Sequence, residues 1–168
     1  RGKETDGREY NFVRREEFEA MVARDEFVEW ARVFDDYYGT HKRYIDQGRA
    51  EGKDVVLDID VKGARQLRQR IPEAVSVFVL APSREELEKR LRARGDVAEA
   101  VIRKRVAEAA REIEDFSQYT HVLVNDDVES ASDLLHSIVK AARVRCGNSD
   151  VAARVTQILG TFKKQGVH

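Results

Sequence analysis

The spacing of apolar residues along the chain predicts alternating strands and helices. Short apolar runs rich in β-branched residues are typical of strands buried in a parallel sheet, and apolar residues that recur every three or four positions predict helices. We expect strands over 10–13, 27–30, 54–60, 75–80 and 121–124, and helices over 14–24, 41–51, 61–69, 83–94, 97–116 and 128–143. The tail over 146–168 has weak helical periodicity, and we assign it no function.

This order of elements predicts an α/β fold. Strands that alternate with helices at short spacing form βαβ units around a parallel sheet, and ligands of such sheets bind beyond the carboxyl ends of the strands. Asp58, Asp60 and Asn125 lie at or near predicted strand ends, so we expect them to line a site. Ser83, with Glu86 three residues later, predicts a capping box at the start of the next helix.

Length and charge narrow the class of protein. The 168 residues suit a single domain, and 42% hydrophobic with 36% charged residues is typical of a globular protein. The net charge of -1 argues against a general nucleic-acid binder. We expect a cytoplasmic protein without a membrane partner, because no apolar run approaches transmembrane length and the single Cys146 cannot form an intrachain disulfide. The oligomeric state is left open.

The polar segment from Glu29 to Thr40 is the strongest candidate for a small-ligand site. A carboxylate accepts hydrogen bonds, and guanine presents two adjacent donors, N1–H and N2–H, where adenine presents an acceptor at N1. A buried Glu29 would therefore select guanine over adenine, because an unpaired buried charge is costly. The alternative is an exposed strand carboxylate without a ligand.

Two tyrosines near this segment are candidates for binding a phosphate. Tyr38 and Tyr10 each carry a phenol that can donate a hydrogen bond to a phosphate oxygen. We expect a turn at Gly39 and Thr40 that brings the backbone close to the ligand. Tyr37 is interpreted instead as a core aromatic with its hydroxyl at the surface.

Asp58 and Asp60 are predicted to share one face of the 54–60 strand, because side chains alternate along a strand. Two carboxylates on one face repel each other and are costly to bury, so a purely stabilising role is not expected. We interpret the pair as organising a magnesium ion or contacting the ligand.

Arginines crowd the region around Gly95. Arg90 and Arg94 share one predicted helix face, and Arg105 follows after a short loop. Guanidinium groups around a glycine hinge suit a mobile lid that closes on a polyphosphate, where arginines stabilise the charge of the transferred phosphoryl group. The alternative is a solvated helix surface, salt-bridged through Glu85, Glu86 and Glu88.

Several segments, in order, resemble the guanylate kinase family. They are residues 4–13 (ETDGREYNFV), 29–31 (EWA), 38–40 (YGT), 57–64 (LDIDVKGA), 90–95 (RLRARG) and 124–127 (VNDD). The resemblance implies a parallel-sheet kinase core similar to P-loop NTPases over about 1–145, followed by the tail over 146–168. It further implies a GMP-binding part over about 1–50 and the arginine-rich lid over about 84–105.

The resemblance implies transfer of the γ-phosphoryl group of ATP to GMP, with GMP and ATP as partners and Mg²⁺ bound together with ATP. It implies that Glu29 and Asp60 meet the guanine edge and that Asp58 lies near the magnesium. It implies GMP phosphate-binding or neighbouring positions for Arg1, Glu4, Tyr10, Tyr38 and Thr40. It also implies phosphate-clamping roles for Arg90, Arg94 and Arg105, and a position close to the nucleotide for Asn125.

The family's ATP cradle, a loop of the G-x-x-x-x-G-K-[ST] type, does not occur in these 168 residues. We therefore expect the chain to begin inside the acceptor-binding segment and to be incomplete for catalysis by itself. The same observation leaves open a non-catalytic guanylate-kinase-like module that binds a partner protein. A nucleoside monophosphate kinase with another base preference is the remaining hypothesis.

Overall fold

The computed structural model of the chain describes residues 7, 10–33, 36–93 and 98–164. The chain divides into two compact units, one that ends at Ala74 and one that begins at Val75. The elements of the first unit are α1 (Arg15–Ala23), β1 (Phe27–Val33), β2 (Asp36–His41), α2 (Lys42–Ala50) and α3 (Val61–Arg70). Those of the second are β3 (Val77–Leu80), α4 (Arg84–Ala93), α5 (Glu99–Ile113), a 3₁₀ helix (Glu114–Gln118), β4 (His121–Val124), α6 (Val128–Arg143) and α7 (Ser149–Lys164).

β1 and β2 form an antiparallel pair in which Glu29 faces Thr40. The predicted turn at Gly39 and Thr40 is wrong, because both residues lie within β2. A close backbone approach does occur there, but it is made to β1: a Cβ on Gly39 would lie 3.0 Å from the Glu29 carbonyl oxygen and 2.9 Å from the Phe27 ring. The cross-strand neighbours therefore leave room for a glycine and for no larger residue.

α1 packs on the hairpin through Phe18. The Phe18 ring stacks on Phe27, with centroids 4.5 Å apart, and on Tyr37 at 5.3 Å, and it meets Trp30 edge-on at 6.4 Å. Phe18 and Phe27 are both buried, and aromatic contacts of this kind contribute stability beyond the area that they bury. Tyr37 thus adds its ring to an aromatic cluster, as interpreted from the sequence.

α3 lies against the edge of β1 that faces away from β2. Gln66 takes the place of a neighbouring strand: its Oε1 accepts from the Trp30 N–H at 3.2 Å, and its Nε2 donates to the Trp30 carbonyl at 2.6 Å. One turn later, Arg70 Nη1 donates to the Phe27 carbonyl at 2.7 Å and pairs with Asp25 at 2.7 Å. Helix side chains thereby satisfy backbone groups along this edge of β1.

The segment between α2 and α3 departs from the expected structure. The predicted strand over 54–60 is wrong, because residues 53–60 form neither helix nor strand and Val56 is 81% exposed. A parallel strand requires hydrogen-bonded neighbours and cover on both faces, and within the described ranges no strand pairs with this segment. The strand predicted over 10–13 is likewise reduced to one bridge residue, Tyr10.

In the second unit, β3 and β4 pair in parallel. The chain between them passes through α4, α5 and the 3₁₀ helix, which makes a βαβ crossover. Phe78 and Leu123 of the two strands are buried, as are Ile102 and Val106 of α5. The predicted α/β arrangement with a parallel strand pair is therefore confirmed for this unit.

The helices begin and end within a few residues of the predicted positions, and α6 spans the predicted range. The capping box at the start of α4 is half formed. Ser83 Oγ accepts from the Glu86 N–H at 3.2 Å, whereas the Glu86 carboxylate accepts from Arg90 at 2.8 Å. No helix in the described part of the chain has both the length and the apolar character needed to cross a lipid bilayer.

Candidate functional site

Glu29 is the centre of the candidate site in the first unit. The residue is 5% exposed and is the one buried charged residue among those that the structure describes. Across the hairpin, Thr40 Oγ1 donates to Glu29 Oε1 at 2.6 Å. The alternative of an exposed strand carboxylate is therefore excluded. A carboxylate in this position meets the donors of a ligand with little competition from water.

Burial raises the pKa of Glu29 above its usual value, because the carboxylate loses hydration. Hydrogen bonds from Thr40 oppose this rise, and the negative charge of nearby Asp60 adds to it. A buried carboxylate is stabilised in its ionised form by further hydrogen-bond donors. The site is consequently suited to a ligand that presents N–H groups.

Asp60 and Gly63 bring the start of α3 to the same place. Asp60 caps the helix, since its Oδ1 accepts from the Gly63 N–H at 2.8 Å. A Cβ on the buried Gly63 would lie 2.6 Å from Glu29 Oε2 and 3.4 Å from Asp60 Oδ1. The structure therefore brings together the two carboxylates that the family resemblance assigns to the guanine edge.

Tyr10 and Tyr38 also come together. Their rings meet edge to face, with centroids 5.6 Å apart and planes at 70°. Tyr38 and Thr40 are two residues apart on β2, so their side chains leave the strand on the same face. Arg1 and Glu4, the other two residues assigned near the GMP phosphate, lie outside the described residues.

Asp58 and Asp60 do not share a strand face, because residues 53–60 are not a strand. Both residues are exposed, and one oxygen of Asp60 is engaged in the cap of α3. Within the described ranges, no group of three or more His, Cys, Asp or Glu side chains lies close enough to hold a metal ion. The pair thus offers one exposed carboxylate and one helix cap, instead of the two-carboxylate face predicted from the sequence.

A second candidate site lies in the second unit, at the carboxyl ends of β3 and β4. Asn125 directly follows β4, and its N–H donates to the Leu80 carbonyl at 2.7 Å, which extends the parallel ladder. Its side-chain Oδ1 is buried without a hydrogen-bond partner among the described residues. A cavity of about 180 Å³ adjoins it, lined also by Val79, Leu80, Ala81, Leu87, Arg90 and Leu91. Because an unpaired buried acceptor is costly, this cavity is suited to a ligand that donates a hydrogen bond.

Two of the three candidate lid arginines lie in the described part of the chain. Arg90 Nε donates to Glu86 Oε1 at 2.8 Å, and its Nη2 lies 3.5 Å from the Asp126 carbonyl oxygen. Arg105 is half-buried on α5, and Arg94 lies outside the described residues. Arg90 therefore belongs both to the salt-bridged surface of α4 and to the wall of the Asn125 cavity.

Other arginines of α4 make ion pairs as well. Arg84 pairs with Glu88 at 2.9 Å, and Arg92 pairs with Glu99 at 2.9 Å. Such exposed pairs contribute little stability, so an arginine can leave its carboxylate for a phosphate at small cost. The predicted salt-bridged surface is present on α4, and it is compatible with phosphate binding.

Gln66 was not among the residues predicted from the sequence, and Gly63 had no predicted role of its own. Their spacing of three residues places both on one face of α3. From the sequence, this spacing predicts a shared helix face, but it does not indicate which strand that face packs against.

Comparison with known proteins gives consistent matches across both units. Residues 1–142 match the family model described as guanylate kinase. The chain is 49% identical over 162 residues to the guanylate kinase of Koribacter versatilis, covering 95% of this chain and 70% of that protein. It is 47% identical over 142 residues to the guanylate kinase of Escherichia coli K12, covering 84% and 69%. It is also similar to the crystal structure of guanylate kinase from Anaplasma phagocytophilum, with a TM-score of 0.73 and 32% identity, over 87% of this chain and 71% of that chain.

Proposed function

The chain belongs to the guanylate kinase family, and we propose that Glu29 is the residue with which it recognises the guanine base of GMP. The reaction of this family transfers a phosphoryl group from ATP to GMP. Phosphorylation of GMP is the function that these relatives support for the chain, and the alternative of a non-catalytic interaction module is not favoured.

Recognition of the base follows from the chemistry of the Glu29 carboxylate. In its ionised form it accepts from both N1–H and N2–H of guanine, whereas adenine would set an acceptor nitrogen against it. Thr40 donates to Oε1 and so orients the carboxylate, which gives Thr40 a role beside the base. Asp60 is the second acidic group proposed to meet the base edge, with one oxygen held in the cap of α3.

The GMP phosphate is proposed to bind beside the tyrosine pair. The Tyr10 and Tyr38 rings support each other, and each phenol can donate a hydrogen bond to a phosphate oxygen. Arg1 and Glu4 complete this group in the proposal, within a GMP-binding part over about residues 1–50.

ATP is proposed to bind through the second unit. The buried Asn125 Oδ1 provides an acceptor for an amino group of the nucleotide base. Arg90, Arg94 and Arg105 are proposed to hold the phosphates as parts of a lid over about residues 84–105, where a guanidinium stabilises the charge of the transferred group. A cytoplasmic location, where both nucleotides are available, is also proposed.

Phosphoryl transfer from ATP generally needs Mg²⁺, and Asp58 is the residue proposed to lie near it. Asp58 is exposed, which suits an ion that keeps several waters and takes its other ligands from one or two carboxylates and the nucleotide phosphates. When bound, the ion neutralises charge on the donor phosphates. The chain's own contribution would be the Asp58 carboxylate, which would help to hold the hydrated ion.

The buried Glu29–Thr40 pair is the observation that carries the proposal, and replacing the carboxylate tests it. In the full-length protein, Glu29→Gln keeps the size of the side chain but turns one acceptor into a donor that faces the guanine N–H groups. We expect calorimetric titration to show GMP affinity lowered about 10- to 100-fold, as for loss of a charged hydrogen bond worth about 1.5–3 kcal/mol. ADP affinity should stay unchanged.

Glu19→Gln is the matched control, because Glu19 is exposed on α1. It should bind GMP like the wild type. Equal GMP affinity in Glu29→Gln and wild type would refute the assignment of Glu29 as the base reader. AMP bound by the wild type as tightly as GMP would refute guanine recognition by this chain.

A further inference from the structure

We infer that Gly63 and Gln66 of α3 are positioning residues that set the selectivity of the site for guanine by fixing the Glu29 carboxylate and its backbone. The inference rests on the proposed role of Glu29 as the base reader. A carboxylate that accepts from two adjacent N–H groups must have both oxygens in place, so a small displacement of either oxygen weakens recognition of the second donor.

Gly63 sets the position of the carboxylate. A Cβ at this residue would lie 2.6 Å from Glu29 Oε2 and 3.3 Å from Glu29 Cδ, both closer than ordinary contact. These atoms are the far end of a flexible side chain, so an alanine would displace the carboxylate and leave the backbone of α3 and β1 in place. Because Oε1 is held by Thr40 at 2.6 Å, the displacement would fall on Oε2 or would break that bond.

Gln66 fixes the backbone next to the Glu29 side chain. The Trp30 N–H that it binds at 3.2 Å belongs to the peptide group joining Glu29 to Trp30, and the 2.6 Å bond to the Trp30 carbonyl fixes the next peptide group. Gly63 and Gln66 lie on the same face of α3. One helix therefore bears on Glu29 at both ends, by hydrogen bonds at its peptide group and by the space that Gly63 leaves for its carboxylate.

Inosine 5′-monophosphate separates this role from a structural one, because it keeps N1–H and lacks the 2-amino group of GMP. The test is made on the full-length Gly63→Ala and Gln66→Met variants. Calorimetry would measure the binding of both nucleotides, and thermal unfolding would measure stability. The preference for GMP over the inosine nucleotide should fall about tenfold in each, as for loss of one charged hydrogen bond. Gln66→Glu, which keeps the acceptor for the Trp30 N–H and loses the donor to its carbonyl, should lie between wild type and Gln66→Met.

Two controls match these changes. Gly160→Ala adds a methyl group in open space on α7, and Gln69→Met changes an exposed glutamine of α3. Both should keep the wild-type preference. If the α3 variants unfold at lower temperature but keep that preference, or lose affinity for both nucleotides equally, the positioning role is overturned.

Glu29→Gln, measured in the same way, separates failure of the Glu29 assignment from failure of the inference about α3. If Glu29→Gln itself keeps the wild-type preference, the proposed reading of guanine by Glu29 fails. If Glu29→Gln abolishes the preference while Gly63→Ala and Gln66→Met retain it, the assignment of Glu29 stands and the inference about α3 fails.

Discussion

At the scale of single residues, folding and the proposed binding of guanine favour opposite protonation states of Glu29. Its burial disfavours the charged form, which raises its pKa, yet acceptance of two N–H donors requires that form. The hydrogen bond from Thr40 offsets part of this cost in the free protein. In the proposed function a bound guanine would supply the remaining donors, so GMP binding and ionisation of Glu29 would be coupled.

This coupling predicts a pH dependence with a definite sign. The folded pKa of Glu29 is raised, so the folded protein binds this proton more tightly than the unfolded chain, and stability from this group falls as pH rises from the usual to the raised pKa. GMP affinity should change in the opposite sense and weaken as pH falls through the raised pKa. Calorimetric titrations from about pH 5 to 8 measure this.

Glu29→Gln is the control for the pH series, because the GMP phosphate titrates equally in both proteins. The wild type should lose more affinity than the variant as the pH falls. Parallel pH profiles for the two proteins would contradict a coupled carboxylate.

At this scale, much of the candidate site was predictable, because chemistry depends on residue type. Glu29 and Asn125 were candidates from the sequence, the first because a carboxylate matches the two adjacent N–H donors of guanine and the second because it lies at the end of a predicted strand. The contacts of Gly63 and Gln66 were not predictable, because they depend on which strand α3 packs against.

At the scale of elements, α1 and the β1–β2 hairpin depend on one shared aromatic cluster. Phe18 joins helix and hairpin by stacking on Phe27 and Tyr37. The helices could be predicted from the sequence, because the spacing of apolar residues along a helix is a local property. The strand predicted over 54–60 was not found, because a strand needs a partner strand, which the local sequence pattern does not reveal. Gly39 shows the same limit, since a glycine typical of a turn instead serves close strand packing.

Phe18→Ala should lower the free energy of unfolding by about 3–5 kcal/mol, as for other large-to-small changes in a core. Trp30, the single tryptophan, contacts Phe18 edge-on, so its fluorescence reports on the cluster during denaturant unfolding. Phe18→Leu should cost less, because it fills part of the space. Phe162→Ala, at an exposed position of α7, is the matched control; a Phe18→Ala protein as stable as this control would contradict the packing argument.

At the scale of the whole molecule, the two units carry different parts of the proposed chemistry. The carboxylates and tyrosines assigned to GMP lie in the unit that ends at Ala74, and Asn125 and Arg90 lie in the unit that begins at Val75. The ordered family motifs indicated the reaction from the sequence. The boundary near Ala74 was not predicted, because it depends on contact density and has no Pro/Gly-rich linker to mark it.

Hydrogen exchange measured with each nucleotide separately should resolve this division. GMP should slow amide exchange chiefly in β1, β2 and the start of α3, because a bound ligand makes local opening less favourable. ADP should slow exchange chiefly at residues 79–81, 87, 90, 91 and 125, which line the Asn125 cavity. Protection by GMP confined to the second unit would contradict the assignment.

Gln66 of α3, which binds the outer edge of β1, has a further consequence for association between copies of the chain. An open strand edge is a template on which a strand of another molecule can pair, and natural proteins protect such edges. Gln66 occupies the Trp30 N–H and carbonyl, and Arg70 occupies the Phe27 carbonyl, so an incoming strand would have to displace both side chains. The helix proposed to hold the base-reading residue Glu29 in place therefore also protects this edge of the sheet from aggregation.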